Sequence, residues 1–388
     1  MRIAVVSSEI AIDQGGAWTF TNSLLNELQT YSGGHEFVVW PFAQPATKTI
    51  ARRIGRRIAK MLPGAADWAT QANAAQLETR AIQEGVDLIW FLNAAEPIAR
   101  VPYIATVWDL QHRLQPWFPE VRWSGWTWDA REAYYSRVIA GATRVVVGTQ
   151  EGRRQVSLFY GIDPQAVHVV PFFVPQEREQ DLADAIARPA ELASLGSRRF
   201  FFYPAQFWPH KNHVGLLEAF ARFLQQAGKE YALVLVGSDK GNLEYVRKYA
   251  ERLGIAGSVL FLGFVPRSTL IYCYQHAMAL CFPTYFGPDN IPPLEAFSLR
   301  CPVIASDVPG SEEQLGDAAV RLPPADSIGW AEAMLMLVRD GKWRNELIER
   351  GERRGSSLTA SRYVSDVIDI VDQFALVRRC WRQDYSGG

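Results

Sequence analysis

The sequence predicts an α/β protein made of two doubly wound domains. Its 388 residues exceed what one ordinary hydrophobic core accommodates. Short β-rich runs recur through both halves, and most are apolar throughout, as in parallel strands that helices cover on both faces. Segments with apolar residues at helical spacing separate these runs. Strands that alternate with helices in this way form open parallel sheets.

The predicted strands form two sets, one in each half of the chain. The first set comprises residues 3–7, 36–42, 87–92, 103–109, 144–149 and 167–173. The second set comprises residues 199–205, 231–237, 259–264, 279–284, 302–307 and 319–324. Helical patterns such as FTNSLLNEL and VGLLEAFARFL lie between them. This order of elements predicts two Rossmann-like domains that face each other across a central cleft.

A polar stretch at residues 174–199, interrupted by Pro189, is the best candidate for a linker. We therefore place one domain at residues 1–185 and the other at residues 196–361. The remaining segment, 362–388, contains a helical pattern that no strand follows. We expect it to pack back toward the linker or the N-terminal domain.

The composition is that of a soluble globular enzyme, with 48% hydrophobic and 21% charged residues. A net charge of -1 offers no bulk attraction to nucleic acid, so no nucleic-acid partner is expected. The four cysteines have no C-x-x-C spacing, and the N-terminus does not resemble a signal peptide. No stretch approaches the roughly 18 apolar residues of a membrane span. These features predict a cytoplasmic protein, either soluble or peripheral.

Four loops at predicted strand ends are candidates for ligand binding, because such sheets bind ligands beyond the carboxyl ends of their strands. Gly15 and Gly16 precede a helix, where backbone amides can meet an anion, although a plain turn is an equally open interpretation. Asp109 and His112 follow a strand amid aromatic residues. They could bind sugar hydroxyls or carry a proton, or they could cap a turn and pack on the aromatics.

The other two loops lie in the second half. Lys211 precedes a helix, a combination suited to phosphate, although a solvated loop remains the alternative. Its neighbours His210 and His213 lack a third ligand, so no metal and no cofactor are predicted. At 290–295, the amides near Asn290 and Ile291 could meet a pyrophosphate. Glu295 could bind a ribose diol or merely complement the helix dipole.

Together these stretches resemble the GT-B glycosyltransferases, specifically glycosyltransferase family 4. The matching segments, in the family's order and spacing, are DQGGAW, WDLQHR, YPAQFWPHKNH, GFVP, IPPLEAF and DVPGSEEQLGDAA. The resemblance implies that the N-terminal domain binds an acceptor and that the C-terminal domain binds a nucleotide-diphosphate sugar. It also implies transfer with retention of configuration and without a divalent metal.

Carried over residue by residue, the resemblance assigns Lys211 to the donor diphosphate and Glu295 to the ribose. It places the backbone around Val265 at the nucleobase. Gly15 and Gly16 match the family's N-terminal glycine loop, near the donor phosphates and the acceptor.

Three positions depart from the family pattern. Gly287 stands where the family has the first glutamate of its E-x7-E motif. Gln206 stands where the family has the arginine that partners the donor lysine. Trp108 stands where the family has a histidine, just before Asp109. Each change removes a charge or a hydrogen-bonding group from the sugar or phosphate site.

Two nearby residues are candidates to compensate for these changes. Asp289 could reach the donor sugar in place of the missing glutamate, and His112 could supply the missing imidazole. Asp109, His112 and Asp289 are therefore the predicted catalytic residues. The altered pocket suggests a less hydroxylated sugar.

A basic segment bears on the acceptor. Residues 50–62 contain Arg52, Arg53, Arg56, Arg57 and Lys60 without any acid, and isoleucines recur on one helical face. This pattern is typical of a cationic interfacial helix on an anionic membrane surface, here the inner face of the plasma membrane, although an ordinary basic helix face is the alternative. Membrane contact would favour a lipid-linked glycan acceptor, as in bacterial polysaccharide assembly. A glycan acceptor is expected in either case.

Other functions remain open on the same scaffold. An epimerase would process the nucleotide-sugar without an acceptor, and a phosphorylase would need a pyridoxal lysine and usually a longer chain. A non-catalytic nucleotide-sugar-binding relative is the remaining alternative, for which Gly287 is the main argument. A nicotinamide oxidoreductase is disfavoured, because no G-x-G-x-x-G motif follows the first strand.

Overall fold

The computed structural model describes residues 1–8, 16–42, 65–92, 98, 100–123, 126–175, 177, 179–287 and 289–381. They form two parallel six-stranded sheets with helices between the strands. The first sheet contains β1 (Arg2–Ser8), β2 (Glu36–Phe42), β3 (Leu88–Phe91), β4 (Tyr103–Thr106), β5 (Arg144–Val147) and β6 (Val167–Val169). The second sheet contains β7 (Arg199–Pro204), β8 (Tyr231–Val236), β9 (Val259–Gly263), β10 (Leu280–Phe282), β11 (Val303–Ser306) and β12 (Ala319–Leu322).

The strand orders are those of doubly wound folds. The first sheet runs β2-β1-β3-β4-β5-β6, and the second runs β12-β11-β10-β7-β8-β9. The strand order changes direction between β1 and β3 in the first sheet and between β7 and β10 in the second, which leaves a crevice at the carboxyl ends. The α/β prediction of two such sheets is confirmed.

Prolines shorten three of the predicted strands. Pro171, Pro283 and Pro323 stand inside the predicted spans, yet β6, β10 and β12 all end before them. A proline has no amide proton to donate to the neighbouring strand, which explains why sheet pairing ends there. Pro41 is accommodated within β2 because β2 lies at the sheet edge.

The helices of the described residues cover both faces of the sheets. In the first half they are α1 (Gly16–Thr30), α2 (Ala65–Gln83), α3 (Gln111–Leu114), α4 (Pro119–Arg122), α5 (Trp128–Ala140) and α6 (Gln150–Tyr160). In the second half they are α7 (Glu179–Asp184), α8 (His213–Ala227), α9 (Leu243–Arg252), α10 (Arg267–His276), α11 (Ile291–Ser298), α12 (Ser311–Leu315), α13 (Ser327–Arg339), α14 (Gly341–Ser356) and α15 (Ala360–Arg378). No helix in these ranges is both long and apolar enough to cross a membrane.

Helix α8 shows how the local sequence sets an element. Asn212 caps it, since its side-chain oxygen accepts a hydrogen bond from the amide of Gly215. Leu216, Phe220 and Phe223 recur at helical spacing and are fully buried. The cap holds the start of this helix at the carboxyl end of β7, directly after Lys211.

The stretch between the two sheets is ordered rather than extended. It contains α7 and a 3-10 helix at Ala190–Leu195, where Leu192 and Leu195 are buried in the core. The amide of Val174 donates to the carbonyl of Leu358, 2.9 Å away, just before α15.

Helix α15 returns to the first sheet. Its Asp372 carboxylate lies 2.8 Å from the imidazole of His35, and its Arg378 guanidinium lies 3.4 Å from the carboxylate of Asp87. Tyr363 packs edge-on against Phe20. These contacts tie the C-terminal helix to the first half.

Candidate active site

A cavity of about 350 Å³ lies between the two sheets. The first half contributes Trp108, Asp109, Glu120, Trp126 and Arg131. From the second half come Trp208, His210 and Lys211, together with four residues of the loop after β10 (Phe286, Gly287, Asp289 and Asn290). The loops that follow β4, β7 and β10 therefore meet at one place, the position where open α/β sheets bind ligands.

Direct hydrogen bonds hold the two halves together around this cavity. The side-chain amide of Gln111 in α3 donates to the carbonyl of Gly287 at 2.7 Å, and that of Gln115 donates to the carbonyl of Tyr285 at 2.8 Å. On another side, the Glu313 carboxylate accepts the amides of Gln150 and Glu151 at the start of α6. A carboxylate at a helix N-terminus is favourable because of the helix dipole.

Asp109 follows β4 and borders the cavity. Its Oδ1 accepts a hydrogen bond from the amide of Gln111 at 3.0 Å, which closes the turn before the short helix α3. The guanidinium of Arg131 lies 3.4 Å away and is stacked over Trp126. Asp109 therefore shapes this turn and also borders the cavity, and its role in sugar binding or proton transfer stays a prediction.

His112 does not line the cavity. Its ring is fully buried, stacks against Tyr135 and lies 3.2 Å from a carboxylate oxygen of Glu132. Burial lowers the pKa of this imidazole. The geometry does not support His112 as a direct replacement for the family histidine at the sugar. Instead, its position fits a role in holding α3 against α5.

Lys211 ends a 3-10 helix at Pro209–Lys211, and the hydroxyl of Tyr203 donates to its carbonyl at 2.7 Å. Its Nζ lies 5.3 Å above the ring of Phe282. No carboxylate of the described residues lies within ion-pair distance of this amine. Burial lowers the pKa of Lys211 to about 8, against the opposing effects of Asp109 and Glu120. The amine is thus available to an anionic ligand.

Asp289 reaches the cavity from the loop after β10. Burial raises its pKa to about 8, with help from Glu313 and Asp109. Its Oδ2 is buried and has no hydrogen-bond partner among the described residues. The carboxyl group packs against Gly148, where a Cβ would lie only 2.3 Å from Oδ1. At neutral pH the group is mainly a neutral acid, which can donate a hydrogen bond.

Asn290 and Ile291 start α11 beside Asp289. The amide of Asn290 already donates to the side chain of Gln314 at 3.1 Å, and its own side chain donates to the carbonyl of Phe286. The two prolines that follow Ile291 carry no amide proton. Fewer backbone donors therefore face the cavity than the sequence suggested.

Gly287 has no room for a side chain. A Cβ there would lie 2.9 Å from Cγ2 of Val308 and 3.0 Å from the carbonyl of Pro309. A side chain at this position would therefore have to displace the loop after β11.

Glu295 lies outside the cavity lining, in a buried ionic cluster. Its carboxylate lies 2.9 Å from Arg267 and accepts a hydrogen bond from the hydroxyl of Tyr274 at 2.8 Å. Arg267 also pairs with Glu177, on the connection between the sheets. A ribose at Glu295 would have to share the carboxylate with these donors.

The remaining predicted residues either do not line the cavity or lie outside the described residues. Gln206 accepts a hydrogen bond from the indole of Trp208, and the side chain of Val265 is buried after β9. Gly16 begins α1. Gly15 and the basic residues Arg52, Arg53, Arg56, Arg57 and Lys60 lie outside the described residues, so membrane contact stays a prediction.

Sequence reasoning missed several groups at the cavity, among them Glu120 and Arg131. Glu120 lies in the four-residue helix α4, 90 positions before the residue that it contacts. No local pattern marks such a pair. The aromatic run PWFPEVRWSGW was the only signal near it.

Comparisons with known proteins agree with this architecture. A family model described as Glycosyltransferase Family 4 matches residues 14–178, and one described as Glycosyl transferases group 1 matches residues 184–354. O-antigen chain mannosyltransferase B of Escherichia coli is 30% identical over 157 residues, which are 40% of this chain and 41% of that protein. D-inositol 3-phosphate glycosyltransferase of Nocardia farcinica is 28% identical over 218 residues, 54% of this chain and 48% of that one. The chain thus aligns with less than half of each relative.

Solved structures match nearly the whole fold. Sucrose-phosphate synthase of Thermosynechococcus elongatus has a TM-score of 0.71 at 16% identity, covering 97% of this chain and 99% of that one. HepE of Anabaena in complex with UDP and glucose has a TM-score of 0.68 at 16% identity, covering 96% and 100%. At these identities the structures establish the fold alone. The two family matches on the two sheets show that the chain belongs to the family 4-like glycosyltransferases of the GT-B fold.

Proposed function

We propose that this chain transfers a sugar from a nucleotide-diphosphate sugar to a glycan or lipid-linked glycan acceptor, with retention of configuration and without a metal. The observation that carries the proposal is the ammonium of Lys211. It lies in a cavity between the two sheets and has no ion pair among the described residues. A half-buried cation without an ion pair among the described residues is suited to bind a diphosphate.

The departing nucleoside diphosphate needs its growing negative charge stabilised. Lys211 supplies a positive charge in a partly enclosed site, where an electrostatic interaction is stronger than in water. Asp289, mainly a neutral acid at pH 7, supplies a hydrogen-bond donor for a sugar hydroxyl. Glu295 and the backbone at Val265 would hold the nucleoside, with Arg267 fixing the Glu295 carboxylate.

The acceptor hydroxyl must attack on the face from which the diphosphate leaves. The contacts of Gln111 and Gln115 with the loop after β10 hold the two halves around the reacting groups. This arrangement orients two ligands and excludes water, both of which favour transfer over hydrolysis. The relatives named as O-antigen and inositol phosphate glycosyltransferases support a hydroxyl-bearing acceptor.

A thermal-shift screen with UDP-, GDP- and dTDP-sugars tests the proposal. Binding of one donor class at a hundredfold excess over its dissociation constant should stabilise the fold by about 2.7 kcal/mol. Release of the nucleoside diphosphate should then follow in the presence of an acceptor glycan. Binding without release and without any change in the sugar would indicate a non-catalytic relative. An epimerised nucleotide-sugar would indicate an epimerase, and release without an acceptor product would indicate a hydrolase. No binding would contradict the proposal.

Affinity for the sugar nucleotide found in that screen is expected to fall as pH rises from about 7 to about 9. Lys211, with a pKa of about 8, loses its positive charge over this range, and Asp289, also with a pKa of about 8, gains a negative charge. Both changes weaken attraction for a diphosphate diester, whose own charge stays constant. Titration calorimetry at three pH values measures the effect. Affinity should depend less steeply on pH in Asp289→Asn. An affinity of the wild type that stays constant from pH 7 to pH 9 would contradict the assignment of Lys211 to the diphosphate.

A further inference from the structure

One pair of side chains at the cavity has no role in the function proposed above. Glu120 comes from α4 in the first half, and His210 comes from the 3-10 helix before α8 in the second half. Both side chains line the cavity, and both residues are less than 10% exposed. The Glu120 Oε1 accepts the backbone amide of His210 at 3.1 Å and also contacts the ring at Nδ1.

This contact determines which ring nitrogen carries the proton. An ionised carboxylate can only accept hydrogen bonds, so the proton between Glu120 and His210 lies on Nδ1. Although burial opposes ionisation of Glu120, its bonds to His210 hold the pKa of the carboxyl below the usual value. Burial and the neighbouring Lys211 lower the pKa of His210 to about 4, despite the Glu120 hydrogen bond. The ring is therefore neutral, with a lone pair on Nε2.

A ring stack and a backbone hydrogen bond also hold His210 in position. It stacks on Phe286 with a centroid separation of 3.9 Å and an interplanar angle of 11°. The carbonyl of His210 accepts the amide of Tyr285 at 2.9 Å. Nε2 makes no hydrogen bond to the described residues. A positioned acceptor atom is thus left at the border of the cavity.

A second acceptor lies beside it. The Oε2 atom of Glu120 is buried and has no hydrogen-bond partner in the described part of the chain. A buried acceptor left without a donor is unfavourable, so a ligand that donates hydrogen bonds would be favoured here. A phosphate cannot serve, because the carboxylate repels it. A neutral hydroxyl can.

We propose that His210 is a further substrate-contacting residue, whose Nε2 accepts a hydrogen bond from a sugar hydroxyl, and that Glu120 is a positioning residue which holds the ring in that tautomer. This inference rests on the proposed function and divides the cavity in two. Lys211 faces the diphosphate, and the Glu120–His210 pair selects hydroxyls. The hydroxyl belongs either to the transferred sugar or to the acceptor.

Two substitutions of His210 test whether its Nε2 atom accepts a hydrogen bond from the substrate. His210→Asn keeps a donor for the Glu120 carboxylate but removes the acceptor at the Nε2 position, whereas His210→Gln can place an amide oxygen near that position. Loss of one hydrogen bond of about 1.4 kcal/mol corresponds to a tenfold rise in a dissociation constant. We expect His210→Asn to weaken affinity for the sugar nucleotide, or to raise KM for the acceptor, by about tenfold or more, with partial rescue in His210→Gln. His276→Asn, at an exposed site on α10, is the matched control.

Affinity for the free nucleoside diphosphate serves as the internal reference, because it contains the phosphates but no transferred sugar. It should change by less than about twofold in both His210 variants. A changed affinity for the sugar nucleotide would assign the hydroxyl to the donor, and a changed acceptor KM would assign it to the acceptor. If neither changes while the nucleoside diphosphate still binds, the inference is wrong and the proposed function stands. If no nucleoside diphosphate binds to the wild type, the proposed function itself fails.

The tautomer can be measured without any assay of activity. Nitrogen-15 NMR of the histidine rings, with the His210 signals assigned by their absence in His210→Gln, should show Nδ1 protonated and Nε2 unprotonated from pH 6 to pH 8. Glu120→Gln should weaken this preference while leaving the His276 signals unchanged. A wild-type ring protonated on Nε2 would overturn the inference.

Discussion

Replacing Lys211 with alanine is expected to lower turnover by a factor of roughly 10²–10³, the usual cost of removing one group that stabilises charge in a transition state. The amine has no ion pair among the described residues, and the cavity around it is partly enclosed. Among the described residues, the other cation that lines the cavity is Arg131 of the first half, which lies 3.4 Å from the carboxylate of Asp109. Release of nucleoside diphosphate under saturating donor and acceptor measures the effect.

The Lys211→Ala substitution should lower turnover without lowering the stability of the fold. The pKa of Lys211 is lower in the folded protein than in the unfolded chain, so at neutral pH the charged amine opposes folding rather than favouring it. The melting temperature of Lys211→Ala should therefore equal or exceed that of the wild type. Lys229→Ala, on the exposed end of the α8–β8 connection, is the matched control and should leave turnover unchanged. Normal turnover in Lys211→Ala would reject the diphosphate assignment.

Replacing Arg267 with methionine is expected to destabilise the fold by about 3–5 kcal/mol. The guanidinium pairs with Glu177 and Glu295, whose side chains are only 6% and 5% exposed. Without it, two carboxylates would remain buried and uncompensated. Urea unfolding followed by circular dichroism measures the loss.

A substitution that keeps the charge distinguishes a lost ion pair from lost packing. Arg267→Lys keeps a positive charge beside Glu177 and Glu295, so its penalty should be smaller than that of Arg267→Met. The matched control is Arg300→Met, whose partner Glu352 is well exposed and whose ion pair should contribute less than about 1 kcal/mol. Equal penalties in Arg267→Lys and Arg267→Met would mean that the charge of Arg267 contributes nothing to stability.

Much of the fold could be predicted because its signals are local. Continuous apolar runs marked the buried parallel strands, and helical spacing marked segments such as α8. Prolines, which are equally local, explain where β6, β10 and β12 end early. The same logic identified the loops at strand ends, and it brought Asp109, Lys211 and Asp289 to one cavity.

The tertiary structure alone decided which of these groups are free. The sequence shows His112 and His210 equally as histidines in loops. The fold buries the first against Tyr135 and places the second at the cavity beside a glutamate 90 residues away. It pairs Glu295 with Arg267 and leaves Lys211 without an ion pair among the described residues. Hydrogen bonding, burial and charge compensation depend on neighbours distant in the chain, whereas strand and helix patterns depend on neighbours within a few residues. That difference in range explains why the sequence predicted which loops meet at the cavity, whereas only the packed structure showed which of their side chains are paired.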